Sequence, residues 1–209
     1  MSASIGRVPG PALVVALNAV IQHASTDSTL PAINAVHFSA GGPDDEPGSL
    51  TLSATDRYTV GSYRLDWTGE TGVHPVLPGV TPGGPVDVTL TLAGAKAVLA
   101  TAKQAGNWPV ELTFGPARLA VDAGPYGLNL DGVTCSFPRW AQLIPASGDN
   151  GVPSVLFDPK LLGRFSKGVA KGEYVRMSFD SRPNRAVLVE VGDRFRGLIM
   201  TRRDDRAVA

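Results

Sequence analysis

Residues 49–67 read Ser-Leu-Thr-Leu-Ser-Ala-Thr-Asp-Arg-Tyr-Thr-Val-Gly-Ser-Tyr-Arg-Leu-Asp-Trp. Leu50, Leu52 and Ala54 alternate with Ser49, Thr51, Ser53 and Thr55, the period-two pattern of a strand with one buried face and one wet face. A second alternating run, from Tyr58 to Trp67, begins after only Asp56 and Arg57. An aspartate carboxylate bonds the backbone just ahead of it, so the stretch predicts a tight antiparallel hairpin.

Upstream, Pro11 opens a predicted helix over Ala12 to Ala24. Leu13, Leu17, Val20 and Ile21 share one face of it, and Asn18, Gln22 and Ser25 another. A strand from Ile33 to Ser39 and a glycine- and acid-rich loop lead into the hairpin. Downstream, Pro75 to Pro85 is a proline- and glycine-rich connector, too irregular for a helix or a central strand. The same order then begins again: strand Val86 to Leu90, helix Leu92 to Ala105, and strands Val110 to Phe114, Arg118 to Val121 and Tyr126 to Leu130. A third copy starts with strand Val152 to Phe157. Asp158 and Pro159 are a helix N-cap and first-turn pair, and the helix is expected to run to about Ala170. Strands Tyr174 to Phe179, Ala186 to Val191 and Phe195 to Met200 follow.

The pattern predicts an α+β fold: three units of one strand, one helix and three strands, with helices on one face of antiparallel sheets. One such unit cannot cover its own apolar sheet face, so units pack in pairs or rows. Pairing gives a two-unit domain over residues 1–146 and a half domain over 147–209. The odd third unit lacks a mate within the chain, which leaves a helix flank and a sheet edge open and predicts a homo-oligomer.

The composition narrows the function classes. The 209 residues carry 19 Lys or Arg and 19 Asp or Glu, so no global field draws the molecule to nucleic acid or an anionic membrane, and any DNA contact must be a local patch. With 24 glycines and 17 prolines, short strands and turns fit better than a helical bundle. Cys135 is the single cysteine, so no internal disulfide forms. No apolar run reaches membrane-spanning length and no secretory pattern opens the sequence, so it reads as cytoplasmic.

The Ala54-Thr55-Asp56-Arg57-Tyr58 core of the hairpin, together with residues 30–38 (Leu-Pro-Ala-Ile-Asn-Ala-Val-His-Phe), residues 137–145 (Phe-Pro-Arg-Trp-Ala-Gln-Leu-Ile-Pro) and the closing Phe195 to Met200 run, resembles the beta sliding clamp of bacterial DNA polymerase III. The resemblance covers the equivalent of the middle domain and the second half of the last one. It implies a DNA-clamp fold and a processivity factor that tethers polymerase or other replication and repair proteins to duplex DNA, without catalysis or cofactor. The alternative is a clamp mimic or decoy, which binds a full-length clamp or its partners without encircling DNA.

Two sets of candidate residues follow. In the third helix Lys160, Arg164, Lys167 and Lys171 are spaced four, three and four, which puts them in one stripe, and Lys96 and Lys103 share a face of the second. The resemblance turns all six toward the DNA backbone, a sequence-blind and salt-sensitive contact. The same stripes also read as solvated surface. The resemblance further implies a cleft for a short peptide of polymerases and other clamp users, lined by Ile33, Thr55, Tyr58, Val60, Pro138, Leu143, Leu198 and Met200. Those aliphatic residues equally suit a plain core.

The match departs at the end. Where the family closes on Met-Pro-Met-Arg-Leu, this chain has Met200-Thr201-Arg202-Arg203-Asp204-Asp205 and a further tail. Arg202 replaces an apolar pocket residue, and the Arg-Leu pair usual between Thr59 and Val60 is absent, so altered peptide specificity is expected. No catalytic constellation stands out. His23, His37 and His74 have no metal-ligand spacing to one another or to Cys135, and glycine-rich phosphate loops and nucleophile elbows are absent.

Overall fold

The computed structural model describes residues 3–42, 45, 47–67, 80–143, 156–166, 173–179 and 186–201. The first unit is β1 (Ala3–Pro9), α1 (Gly10–Ile21), β2 (Ala35–Ala40), β3 (Ser49–Thr55) and β4 (Thr59–Asp66). A short β5 (Val80–Pro82) leads to the second: β6 (Val86–Thr91), α2 (Leu92–Ala105), β7 (Pro109–Gly115), β8 (Arg118–Ala123) and β9 (Tyr126–Asp131). The third contains α3 (Pro159–Leu162), a 3-10 turn (Gly163–Ser166), β10 (Val175–Ser178), β11 (Val187–Val191) and β12 (Phe195–Ile199).

Two sheets form, in the orders β5-β1-β7-β8-β9 and β10-β11-β12-β4-β3-β2-β6. The first two units embrace by exchanging neighbours: β1 pairs antiparallel with β7, and β2 antiparallel with β6. Each helix start is tied to the other unit in matching fashion. Gly10 N–H donates to the Trp108 carbonyl (3.2 Å), and Leu92 N–H to that of Asn34 (2.9 Å). The helices pack on each other, α1 over β3 and β4, α2 over β8 and β9. One core of fully buried Leu13, Leu17, Phe38, Leu50, Leu52, Leu90, Ala95, Val98 and Leu112 joins both helices to both sheets.

The hairpin has the expected register, with Leu50 opposite Leu65, Leu52 opposite Tyr63 and Thr55 opposite Val60. α1 starts two residues earlier than expected and ends at Ile21, because Pro9 and Pro11 fit a first turn and need no N–H partner there. The Pro75 to Pro85 connector contains a strand after all: β5 is a three-residue edge beside β1, a place where Pro82 costs no ladder bond.

The third unit brings two corrections. Its helix, capped at Asp158 by Lys160 N–H (2.8 Å) as expected, is one α-turn followed by a 3-10 turn through Ser166, and Lys167 to Gly172 lie outside the described residues. Of its first strand only Leu156 and Phe157 are described, and Leu156 forms an isolated bridge. Nor is this unit without a neighbour in its own chain. β12 pairs along its whole length with β4, from Phe195 opposite Tyr63 to Ile199 opposite Thr59, so one sheet continues from the first unit into the third. Among the described residues the edges of that sheet are β10 and β6.

Candidate functional site

Alternation along β4 and β12 gives this sheet two different faces. Gly61 and Gly197 sit opposite each other and point to the helix side. A Cβ on Gly61 would collide with the His23 ring, and one on Gly197 would collide with the Val60 carbonyl and lie 2.7 Å from Phe165 Cε1. The glycine pair thus makes the hollow into which α1 delivers His23 and the third unit delivers Phe165. The His23 ring centroid is 4.8 Å from that of Phe165 and 5.8 Å from that of Phe195. Val187, Val189, Val191, Phe195 and Ile199 complete this second core with Ala19 of α1.

His23 is fully buried and neither ring nitrogen has a hydrogen-bond partner. Its pKa is pushed down to about 4, chiefly by burial and further by Arg164, against a smaller opposing pull from Asp56. Arg164 Nη1 is bonded to Asp56 Oδ2 and lies 3.0 Å from Thr59 Oγ1. Of the six residues expected to face DNA, Arg164 is therefore turned to the hairpin and half-buried in an ion pair. Lys96, Lys103 and Lys160 are exposed on the helix layer, and Lys167 and Lys171 fall outside the described residues. The four-residue stripe presumed an unbroken α-helix, which the 3-10 turn at Gly163 interrupts.

None of α1, α2 or α3 contains an acidic residue, although the chain has 19. The sign asymmetry is local and lies on one layer. α1 contributes no cation to it; at its end the Gln22 side chain turns back, Nε2 donating to the main-chain carbonyl of Asn18 (2.6 Å).

On the opposite face Val60 and Leu198, paired across β4 and β12, join Leu188 of β11 in a small apolar cluster, with Trp140 and Ala186 packed against it. The strap 133–143 reaches that cluster across the sheet. Val133 N–H donates to the Thr89 carbonyl (2.8 Å), and the Phe137 ring stacks on His37 at 4.9 Å and 7°. Trp140 then covers Val60, Leu188 and Leu198, and a 3-10 turn (Ala141–Leu143) presents Leu143, which is 58% exposed. His37 is held by Thr89 Oγ1 at 3.0 Å, and burial lowers its pKa.

At the open end of the cluster Met200 N–H donates to the Tyr58 carbonyl (2.9 Å), and both side chains are exposed, Tyr58 at 62% and Met200 at 40%. Thus Tyr58, Val60, Leu198 and Met200 come together on one ladder, while Leu143 is exposed on the strap, its N–H donating to the Trp140 carbonyl (2.8 Å). Pro138 is exposed on the same strap. Thr55 is buried within the turn, its Oγ1 donating to the Thr59 carbonyl (2.8 Å), and Ile33 is buried outside the cluster.

Leu188, Ala186 and Trp140 were missing from the expected set. The Gly192-Asp193 turn carried the signal for Leu188, because closing it sets Leu188 opposite Leu198. Arg202 and the tail after it lie outside the described residues. Among the described residues, no group of three or more His, Cys, Asp or Glu is placed to hold a metal ion, and no helix is long and apolar enough to cross a membrane.

No family model and no curated protein matches the chain. Solved structures do. The beta subunit of DNA polymerase III from Thermotoga maritima superposes with a TM-score of 0.76 at 13% identity, over 96% of this chain and 65% of that one. A DNA polymerase sliding clamp from Pseudomonas aeruginosa gives 0.74 at 15% identity, covering 96% and 67%, and one from Bacillus subtilis 0.73 at 14%, covering 96% and 64%. The chain spans about two thirds of the length of the clamps it matches. At such identities the likeness is one of architecture, and the architecture of this chain is the bacterial sliding-clamp fold.

Proposed function

We propose that this chain is a sliding-clamp-like processivity factor: it lies against duplex DNA with its helix layer and holds extended peptides of polymerases or other replication and repair proteins in the groove behind. The supporting observation is the division of labour between the helix layer and the strand face that bears the apolar cluster. On one side the helices are free of acid and show Lys96, Lys103 and Lys160 to solvent; on the other, Trp140 packs on the cluster of Val60, Leu188 and Leu198, and exposed Tyr58 and Met200 stand at the end of its ladder. Lysines without a base-reading partner bind phosphate by charge alone, the loose contact that sliding needs. Aliphatic floors with exposed apolar rims suit Leu or Phe anchors of an extended peptide.

In this reading residues 1–146 form a complete clamp-like domain and 147–209 half of another, and copies associate through the open sheet edges in the cytoplasm. The action is adhesive and topological, with no bond broken. Retention on nicked circular DNA and loss on linearisation are expected; equal retention on both forms would overturn encirclement.

A second reading has one observation in its favour: α1 has no cation on its surface, so the middle of the helix layer meets phosphate only with neutral groups. A decoy that occupies a full-length clamp or its partners would have no DNA affinity at low salt, while co-purifying with such a clamp. DNA binding at low salt excludes it.

A further inference from the structure

We infer that Arg164 is a positioning residue of the groove: reaching from the helix side, it fixes the turn 56–58 and through it the groove's rim, and it is not a phosphate contact. The two oxygens of Asp56 divide the work. Oδ1 accepts from Tyr58 N–H (3.0 Å), Thr59 N–H (2.9 Å) and Thr59 Oγ1–H (3.1 Å), so it shapes the turn; Oδ2 takes Arg164. The Arg164 and Asp56 side chains are 29% and 11% exposed, so solvent screens the pair only in part.

The turn needs such a hold. Arg57 sits at φ 78°, a left-handed conformation that an L-residue adopts at a cost, and Thr55 Oγ1 accepts from its N–H (3.2 Å). From the turn the hold passes onward, because the Tyr58 carbonyl receives Met200 N–H, and Tyr58 and Met200 are the exposed apolar side chains at that end of the groove. Arg164 is itself anchored by its neighbour Phe165, locked between His23 and Phe195. Residues 108 apart in sequence thereby connect the layer proposed to face DNA with the rim proposed to grip peptide.

The last step alone rests on the proposed groove, and the test separates the two. Amide hydrogen exchange is followed in wild type, Arg164→Met and Arg164→Lys, together with affinity for a synthetic peptide bearing Leu and Phe anchors and the salt dependence of duplex binding. In Arg164→Met the Tyr58 and Thr59 amides are expected to exchange at least about tenfold faster while those of Leu52 and Val189 keep their protection, and Arg164→Lys recovers most of the difference. The salt slope stays at its wild-type value.

Unchanged exchange at Tyr58 and Thr59, or a slope reduced by about one, would overturn the inference. Should Arg164→Met not fold, Asp56→Asn with and without Arg164→Lys takes its place: non-additive effects support the link and additive ones refute it. Faster exchange in a protein whose wild type binds no peptide would leave the link standing and remove the groove reading.

Discussion

His23 shows how much at this scale depends on partners distant in the chain. Its native pKa near 4 lies below the ordinary value of 6.5, so between these pH values the unfolded chain binds a proton that the folded one refuses. Stability is then fully present above about pH 6.5, falls as the pH drops toward 4, and loses nothing more from this group below that. The expected loss is about 3 kcal/mol from the shift of some 2.5 units, read from urea midpoints across that range. His23→Leu removes two unpartnered buried nitrogens with little change of volume, so it is expected to flatten this pH dependence without lowering stability at pH 7. Gly197→Ala, whose Cβ meets the Val60 carbonyl and Phe165, is expected to cost about 2–3 kcal/mol in the same measurement. The sequence showed only a histidine near the end of the first predicted helix and a glycine inside each of two strands. That these meet follows from the register of β4 against β12, which no short-range pattern encodes.

Elements were far more legible. α2 was delimited to the residue, and the hairpin and most strands to within one or two, because period-two alternation and the 3.6-residue repeat are local properties of the side chains. Thr91 illustrates why α2 starts where it does: its Oγ1 accepts Gly94 N–H at 3.0 Å, and Thr91→Ala is expected to cost about 1 kcal/mol in chemical denaturation. In the hairpin, Arg57→Gly relieves the left-handed backbone and is expected to raise stability by up to about 1 kcal/mol, offset in part by the greater freedom of glycine when unfolded. The third helix was the weak reading. Its cations were spaced for an ideal α-helix, yet Gly163 continues into a 3-10 turn and Arg164 points to Asp56, since an available carboxylate outbids an idealised stripe. On α2 no hydrogen bond or ion pair holds Lys96 or Lys103 among the described residues, and Lys96→Ala or Lys103→Ala is each expected to lower the salt slope of duplex binding by about one.

For the whole molecule, the repeat of the first unit in the second was readable from the sequence, but the manner in which the units join was not. The odd unit was expected to need a second copy, whereas β12 finds its partner in β4 of the same chain. Among the described residues β10 and β6 are the edges of that sheet, and at β10 Val175 is 44% and the preceding Tyr174 89% exposed, an edge of the kind that association closes. Light scattering is expected to give a mass that is a multiple of one chain, and Val175→Lys to return it to a single chain.

Joining β4 to β12 also sets an order of events at birth. The salt bridge between Asp66 and Arg194 spans 128 residues, and the apolar cluster takes Val60 from one end of that span and Leu188 and Leu198 from the other. Contacts of such long range close late, after the entropy of the intervening loop has been overcome. The seam between β4 and β12 is therefore expected to form after the hairpin, and the apolar cluster that straddles it to be completed last.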